Sequence, residues 1–574
     1  MLDCIVKKYK INIYSMLKHG SVAVITMLGV RILFGIKNIM LAFPIALTST
    51  VLGRQNLQIK TFNKILRIIV IDLIIVIASF ISTQNFFIGI IINITVIFLI
   101  MYIIFSPYDL TFYKPFLMLY VFTQYSYITL EELPLRILAV IFGILVIVSS
   151  NIIIKVNEVN KLGKSITNSI SLINTQLNNI LNQNFEESLI KECSKIMREL
   201  AYSIYITRHK NYLTTHLGKI QFELYINIEY FNLFLRTINE LYKKEDIEKC
   251  EIKELIKIIE NIIQYSNLYI SIEYLTESIN YFIKKYKEKS EYMFEICELL
   301  KELLKNFEEL NALGNKEINR VYEEWEIINI DKNNKTSKEH LIYKGMRFNF
   351  AMRMSIAVTI GLTLANILGF YKIIWAVITI MSVIQPYYEY TISKTKERII
   401  GNIIGILITG IIINLVNIRF ITIIILIISL YLLYAFKEYY KISLFASIAS
   451  ICISSLSENI NILLFYRVFY VIIGVTIVIL INRVIFPYKL KEGIEELILK
   501  IDNLNTILIN NSISILDGKE NPNKIRDIII HSTLLSEKLA IRNLNFNDEY
   551  IDRVVNINNE FIIQVGYRVL RSCN

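Results

Sequence analysis

Two stretches of this chain, 21–155 and 351–487, are long apolar runs with few charges. A water-soluble fold has no interior large enough for that much continuous apolar sequence, so both belong in lipid. Composition agrees: of 574 residues, 54% are hydrophobic and 19% charged, with a mean hydropathy of +0.48. The segments between and after them, 156–345 and 488–574, are dense in Lys, Glu and Asn. Six of the seven prolines (Pro44, Pro107, Pro115, Pro134, Pro386 and Pro487) lie in or beside the apolar runs, and the insert has none. A proline-free stretch with apolar residues at helical spacing, such as EICELLKELLKNFEEL (295–310), predicts long amphipathic helices.

The expectation is an all-α polytopic membrane protein in five parts. Residues 1–20 lead in, 21–155 form a first transmembrane module, and 156–345 form a helical domain. Residues 346–487 form a second transmembrane module, and 488–574 a helical tail. Six spans are expected in the first module, at 21–36, 38–53, 65–82, 85–105, 112–129 and 134–154. Six more are expected at 352–370, 372–386, 398–416, 419–436, 441–457 and 464–486. Several are shorter than the roughly 20 residues a straight span requires, which predicts tilt or packing inside a bundle.

The net charge of +11 would suggest nucleic acid in a soluble chain. Here it is the expected excess of cytoplasmic Lys and Arg, so the partner is the bilayer and no nucleic-acid partner is expected. The loops alternate accordingly. Lys7, Lys8, Lys10 and Lys18 precede the first span, Arg54, Lys60 and Lys64 follow the second, and Lys394, Lys396 and Arg398 follow the eighth. STQN (82–85), TLEEL (129–133) and LSENIN (456–461) carry no basic residue. Both termini and both polar pieces are therefore expected in the cytoplasm, and no cleavage site of a signal peptide follows the first run. The six cysteines are scattered, with no C-x-x-C, which suits a reducing compartment.

A repeat runs through the two modules. LRILAVIFGILVIV (135–148) aligns with YRVFYVIIGVTIVI (466–479), setting Arg136 over Arg467 and Gly143 over Gly474, 331 residues apart. At the same offset Arg67 falls on Arg398 and Thr48 on Thr379. Parallel repeats pack about an axis along the membrane normal, so a path between the halves is the natural place for function.

The stretch WAVITIMSVIQPYYEYTISKTKERIIGN (375–402) stops an apolar helix at Gln385-Pro386, turns basic, and resumes as apolar sequence. The ring of Pro386 removes a donor and clashes with the preceding turn, and the Gln385 side chain can satisfy carbonyls freed there. Gly401 and Gly405 form a G-x-x-x-G that lets another helix approach. Trp375, Thr379, Gln385, Pro386, Arg398, Gly401 and Gly405 together resemble the fusaric acid resistance protein-like family, in which Thr usually stands where this chain has Asn402. The first module lacks most of this pattern, with Pro44 in the place of Trp375. The resemblance implies a transporter in the cytoplasmic membrane of a bacterium. It would export small organic anions, aromatic carboxylic acids among them. A passive anion channel and a membrane-anchored structural or sensory protein stand as alternatives, and a homo-oligomer is compatible with each.

Charged residues inside the spans are the sharper candidates for the route, because they are costly in lipid and face the bundle interior or a water-filled path. Arg31 and Asp72 could pair with each other. Arg136 and Arg467 could face each other across the axis and hold a carboxylate, or snorkel to the outer headgroups. Arg398 stands at the membrane entrance, as the neck of an anion-gathering turn or as a topology signal only. No enzyme is expected: KLGKS (161–165) lacks the first glycine of a P-loop, and His209 and His216 have no acidic partner at metalloprotease spacing. No cofactor or metal is expected.

Overall fold

The structure is a computed structural model. It describes residues 11–52, 61–105, 111–153, 158–207, 213–312, 321–324, 345–368, 372–416, 419–456, 458–518, 523–544 and 546–572. Lys7, Lys8, Lys10, Arg54 and Lys60, part of the loop-charge pattern, lie outside the described residues.

Helices dominate. In the first apolar block they are α1 (Ile13–Phe34), α2 (Ala42–Leu52), α3 (Thr61–Gln84), α4 (Phe86–Leu99, continued by a π turn Ile100–Ile104), α5 (Lys114–Tyr125) and α6 (Leu133–Ile153). The insert holds α7 (Glu158–Leu181), α8 (Glu187–Thr207), α9 (His216–Lys243), α10 (Lys249–Ser266), α11 (Ile272–Tyr286) and α12 (Glu291–Ala312). Two short antiparallel strands, β1 (Leu213–Thr215) and β2 (Val321–Glu324), pair within it. The second block holds α13 (Met346–Leu368), α14 (Ile374–Val383), α15 (Tyr388–Val416), α16 (Arg419–Leu433), α17 (Tyr439–Ser455) and α18 (Ile460–Val484). The tail holds α19 (Leu490–Leu516), α20 (Asn523–Asn543) and α21 (Glu549–Ser572).

Two compact units result, one of 1–155 with 334–493, the other of 156–333 with 494–574. In the second unit α8 packs on α20 and α9 on α21, so insert and tail share one core. Tyr225 Oη and Thr533 Oγ1 meet at 2.9 Å within it.

In the first unit every predicted span falls on a helix, but they are not alike. Among the described residues, seven helices are long and apolar enough to cross a membrane: Ile13–Phe34, Ile65–Gln84, Phe86–Ile104, Leu133–Ser150, Met346–Ile367, Tyr388–Leu415 and Ile460–Val484. The second and fifth helices of each block (α2, α5, α14, α17) are short, as is α16. Burial accounts for α14: Trp375, Ala376, Val377, Thr379, Ile380, Met381 and Val383 are all buried, so its neighbours are protein and not lipid. By contrast α15 shows Ile400, Ile403, Leu407, Ile411 and Leu415 as an exposed stripe and turns Arg398, Asn402 and Thr409 inward. That division is the pattern of a lipid-facing helix.

Local chemistry fixes the turns. Asn85 caps α4, accepting from the amides of Phe87 and Ile88. Gly89 follows because a Cβ there would stand 2.4 Å from the Ser82 carbonyl oxygen. Gly401 and Gly405 do what their spacing predicts. Added Cβ atoms would lie 2.3 Å from Tyr440 O and 2.8 Å from Leu444 O, so α15 and α17 touch backbone to backbone.

Several features recur in both blocks. Thr48 Oγ1 donates to Pro44 O and Thr379 Oγ1 to Trp375 O, each at 2.8 Å. Lys37 pairs with Glu132 at 2.6 Å and Lys372 with Glu458 at 3.0 Å, each tying the approach to the second helix to the approach to the last. Between blocks α1 packs on α16 and α13 on α4, so the first helix of each meets the fourth of the other.

Candidate functional site

The Gln385-Pro386 break is anchored from several sides. Gln385 Nε2 donates to Ile384 O at 3.0 Å, as expected of a residue beside freed carbonyls. Its amide is taken by Thr391 Oγ1 at 3.0 Å. The Pro386 carbonyl goes to a residue that sequence reasoning missed, the fully buried Arg353 of α13. Arg353 also reaches Asn482 Oδ1 and, at 3.3 Å, Asn349 O, so each of its nitrogens has a protein acceptor.

About three to four turns into α15 lies a polar cluster. Asn402, buried, donates from Nδ2 to Arg398 O at 2.7 Å and to Ser443 Oγ at 3.1 Å. Its Oδ1 accepts from Ser447 Oγ at 2.5 Å and from Arg467 Nε at 3.1 Å. Arg467 Nη2 donates to Ser447 Oγ at 3.2 Å, and its guanidinium lies over the Trp375 ring, 5.1 Å from the centroid. Asn402 is thus the hub joining α15, α17 and α18. A threonine has no second polar atom with which to serve both sides.

The guanidinium groups are only partly used. Arg398 is 3% exposed and Arg467 1%. Among the described residues Arg398 Nε and Nη2 and Arg467 Nη1 have no hydrogen-bond partner, and neither has the buried hydroxyl of Tyr439. Arg398 and Tyr439 both act electrostatically on Arg467, so these groups converge. Lys394 stands over the Tyr439 ring at 4.4 Å while paired with Glu397 at 3.2 Å. The free Arg398 nitrogens share one edge of the guanidinium, the edge that grips a carboxylate with two parallel bonds.

Three expectations change. Arg136 and Arg467 do not share a site. Arg136 donates to Asn38 Oδ1 at 3.0 Å, Thr123 O at 2.7 Å and Ser126 Oγ at 2.7 Å, all within the first block. Nor does it snorkel, being 2% exposed. Arg31 and Asp72 do not pair. Arg31 is exposed in the last turn of α1, Asp72 is buried in α3, and no ion pair joins them. Arg398 is not an open neck but a buried group one turn from Asn402.

Residues 358–481 match the fusaric acid resistance protein-like family. The matched region contains Trp375, Arg398, Asn402, Tyr439, Ser443, Ser447 and Arg467, the whole polar cluster. A fusaric acid resistance protein-like region among several apolar helices supports a multi-pass membrane protein of transporter type. No curated protein and no solved structure matches the chain.

Tyr439, Ser443 and Ser447 were missed from sequence. The signal was present: Ser443, Ser447, Ser450 and Ser454 recur along one face of an apolar helix.

Proposed function

We propose that this protein moves small organic anions outward across the cytoplasmic membrane of a bacterium. Its two six-helix blocks would be a parallel pseudo-repeat, with both termini and the second compact unit cytoplasmic. The observation that carries the reading is the Arg398–Arg467 cluster. Arg398 Nε and Nη2 and Arg467 Nη1, all buried, have no acceptor among the described residues. Buried charge is retained in a membrane at a cost of several kcal/mol, on the order of 3 by insertion scales, where it serves a substrate or ion route. The features that recur in both blocks and the reciprocal packing of α1 on α16 and α13 on α4 support the repeat.

Asp72 favours a carrier over a passive channel. It is a buried carboxyl in the middle of α3 without the arginine partner that would fix its charge, and so can exchange a proton coupled to transport. The test is flux of benzoate and benzamide in proteoliposomes, with and without a pH gradient. Wild-type protein should move the acid and not the amide, and Arg398→Met should abolish acid flux while folding normally. Equal flux of the acid through folded wild type and Arg398→Met would overturn the reading.

A further inference from the structure

The two arginines bring two positive charges into the interior, and acidic groups on the adjoining segments have cationic or amide partners of their own. Glu397 is held by Lys394 at 3.2 Å and Glu438 by Lys441 at 3.4 Å. Glu389 Oε2 accepts the Leu490 amide at 2.9 Å, and Glu458 pairs with Lys372 at 3.0 Å. What touches Arg467 is neutral: Asn402, Ser447 and the Trp375 ring. Among the described residues neither guanidinium is paired with a carboxylate, so the cluster carries two positive charges.

Resting on the anion-transport reading above, we infer that the ligand of this site carries two carboxylates. A single carboxylate would neutralise one guanidinium and leave the other buried and unpaired, the costly arrangement for ions in a low-dielectric interior. The unused donors divide in the same way. The Nε/Nη2 edge of Arg398 is a two-pronged receptor for one carboxylate. Arg467 Nη1 and Tyr439 Oη are single donors left for the second. Asn402 and Ser447 occupy the other two nitrogens of Arg467, which limits how that guanidinium can present itself. The Trp375 ring covers one face of Arg467, so the second carboxylate approaches in the guanidinium plane, where the N–H groups point.

The experiment uses the full chain in nanodiscs and measures binding by calorimetry. The probes are malonate, succinate, glutarate and phthalate, each against its monomethyl ester, with sulfate as a compact dianion. At least one dicarboxylate should bind about tenfold or more tightly than its monoester, a difference well outside calorimetric error. Arg467→Met should erase that preference, and Tyr439→Phe should reduce it. Monoesters binding as tightly as every diacid would overturn the two-carboxylate assignment but leave the anion reading standing. Sulfate binding as tightly as the best diacid would overturn it too, since a compact dianion cannot use two separated receptors. Binding of none of the probes, with benzoate flux still lost in Arg398→Met, also overturns it. Absence of both binding and flux overturns the transport reading with it.

Discussion

Arg136 and Arg467 lie 331 residues apart at matching places in the two apolar blocks, and both are buried. Yet they do different things. Each kind of nitrogen of Arg136 has a protein acceptor, a side-chain amide, a carbonyl and a hydroxyl. Among the described residues Arg467 Nη1 has no acceptor, and Arg398 is near enough to act on it electrostatically. The first-block counterpart of Arg398 is Arg67, which is exposed. Where the second block sets Trp375 beside its arginine, the first has Pro44. The same residue at the same offset is a staple in one half and keeps an unpartnered donor in the other. What separates them is whether the neighbours exhaust its donors, since a satisfied buried arginine is structural and an unsatisfied one is a candidate site.

The largest effect should come from removing the staple. Arg136→Met strands the Asn38, Thr123 and Ser126 acceptors and should cost about 3–5 kcal/mol, as when one partner of a buried charged network is lost. Thermal unfolding of detergent-purified protein should show the drop, and an unchanged melting temperature would break the comparison. Arg353→Met should behave similarly, since Arg353 holds the Pro386 carbonyl.

Next in size is the α15–α17 seam. Gly401→Val would drive a side chain into the Tyr440 carbonyl. It should cost about 1–3 kcal/mol by overpacking and separate Arg398 from Tyr439. Retained flux at normal stability would mean that the two helices are not locked together.

How much of this was legible beforehand follows from the chemistry. Helical blocks, the Gln-Pro break and the glycine seam could be read because apolar periodicity, proline and close-approach glycines act locally. Arg398, Arg467 and Asn402 could be picked out as polar groups in apolar helices. Their assembly could not, because it depends on how α15, α17 and α18 rotate about their axes. Arg31 and Asp72 show the converse. Both stood out in apolar sequence, but one faces outward and the other in.

A pH-dependent effect of similar size is expected in the second unit, in contrast with the arginine cluster. Burial pushes the Glu229 carboxyl up to about 7, against opposing help from Ser194, Arg198 and Arg236. The folded chain then holds a proton, between the ordinary value of 4.5 and about 7, that the unfolded chain releases. Stability should therefore fall as pH rises through that window, by on the order of 3 kcal/mol for a shift of this size. Glu229→Gln should flatten the profile, followed by hydrogen exchange of α9 in the full chain. A wild-type profile that rises with pH there would contradict the sign.

The smallest effect belongs to Arg31. With no carboxylate partner among the described residues and an exposed position, Arg31→Gln should change stability by less than about 0.5 kcal/mol. A larger loss would restore a pairing with Asp72.

The central claim is the proposal that Arg398 and Arg467 serve the route while Arg136 and Arg353 hold the fold. Its most direct test compares Arg136→Met with Arg398→Met, scoring carboxylate flux per folded molecule in proteoliposomes. Folded protein is quantified by size-exclusion chromatography. Arg136→Met should yield less folded protein, but each surviving molecule should transport at near the wild-type rate. Arg398→Met should yield wild-type amounts of folded protein and lose flux by about tenfold or more, the effect of about 1.4 kcal/mol or more on the transport barrier. The reverse pattern, with flux per molecule lost in Arg136→Met and kept in Arg398→Met, would contradict the account.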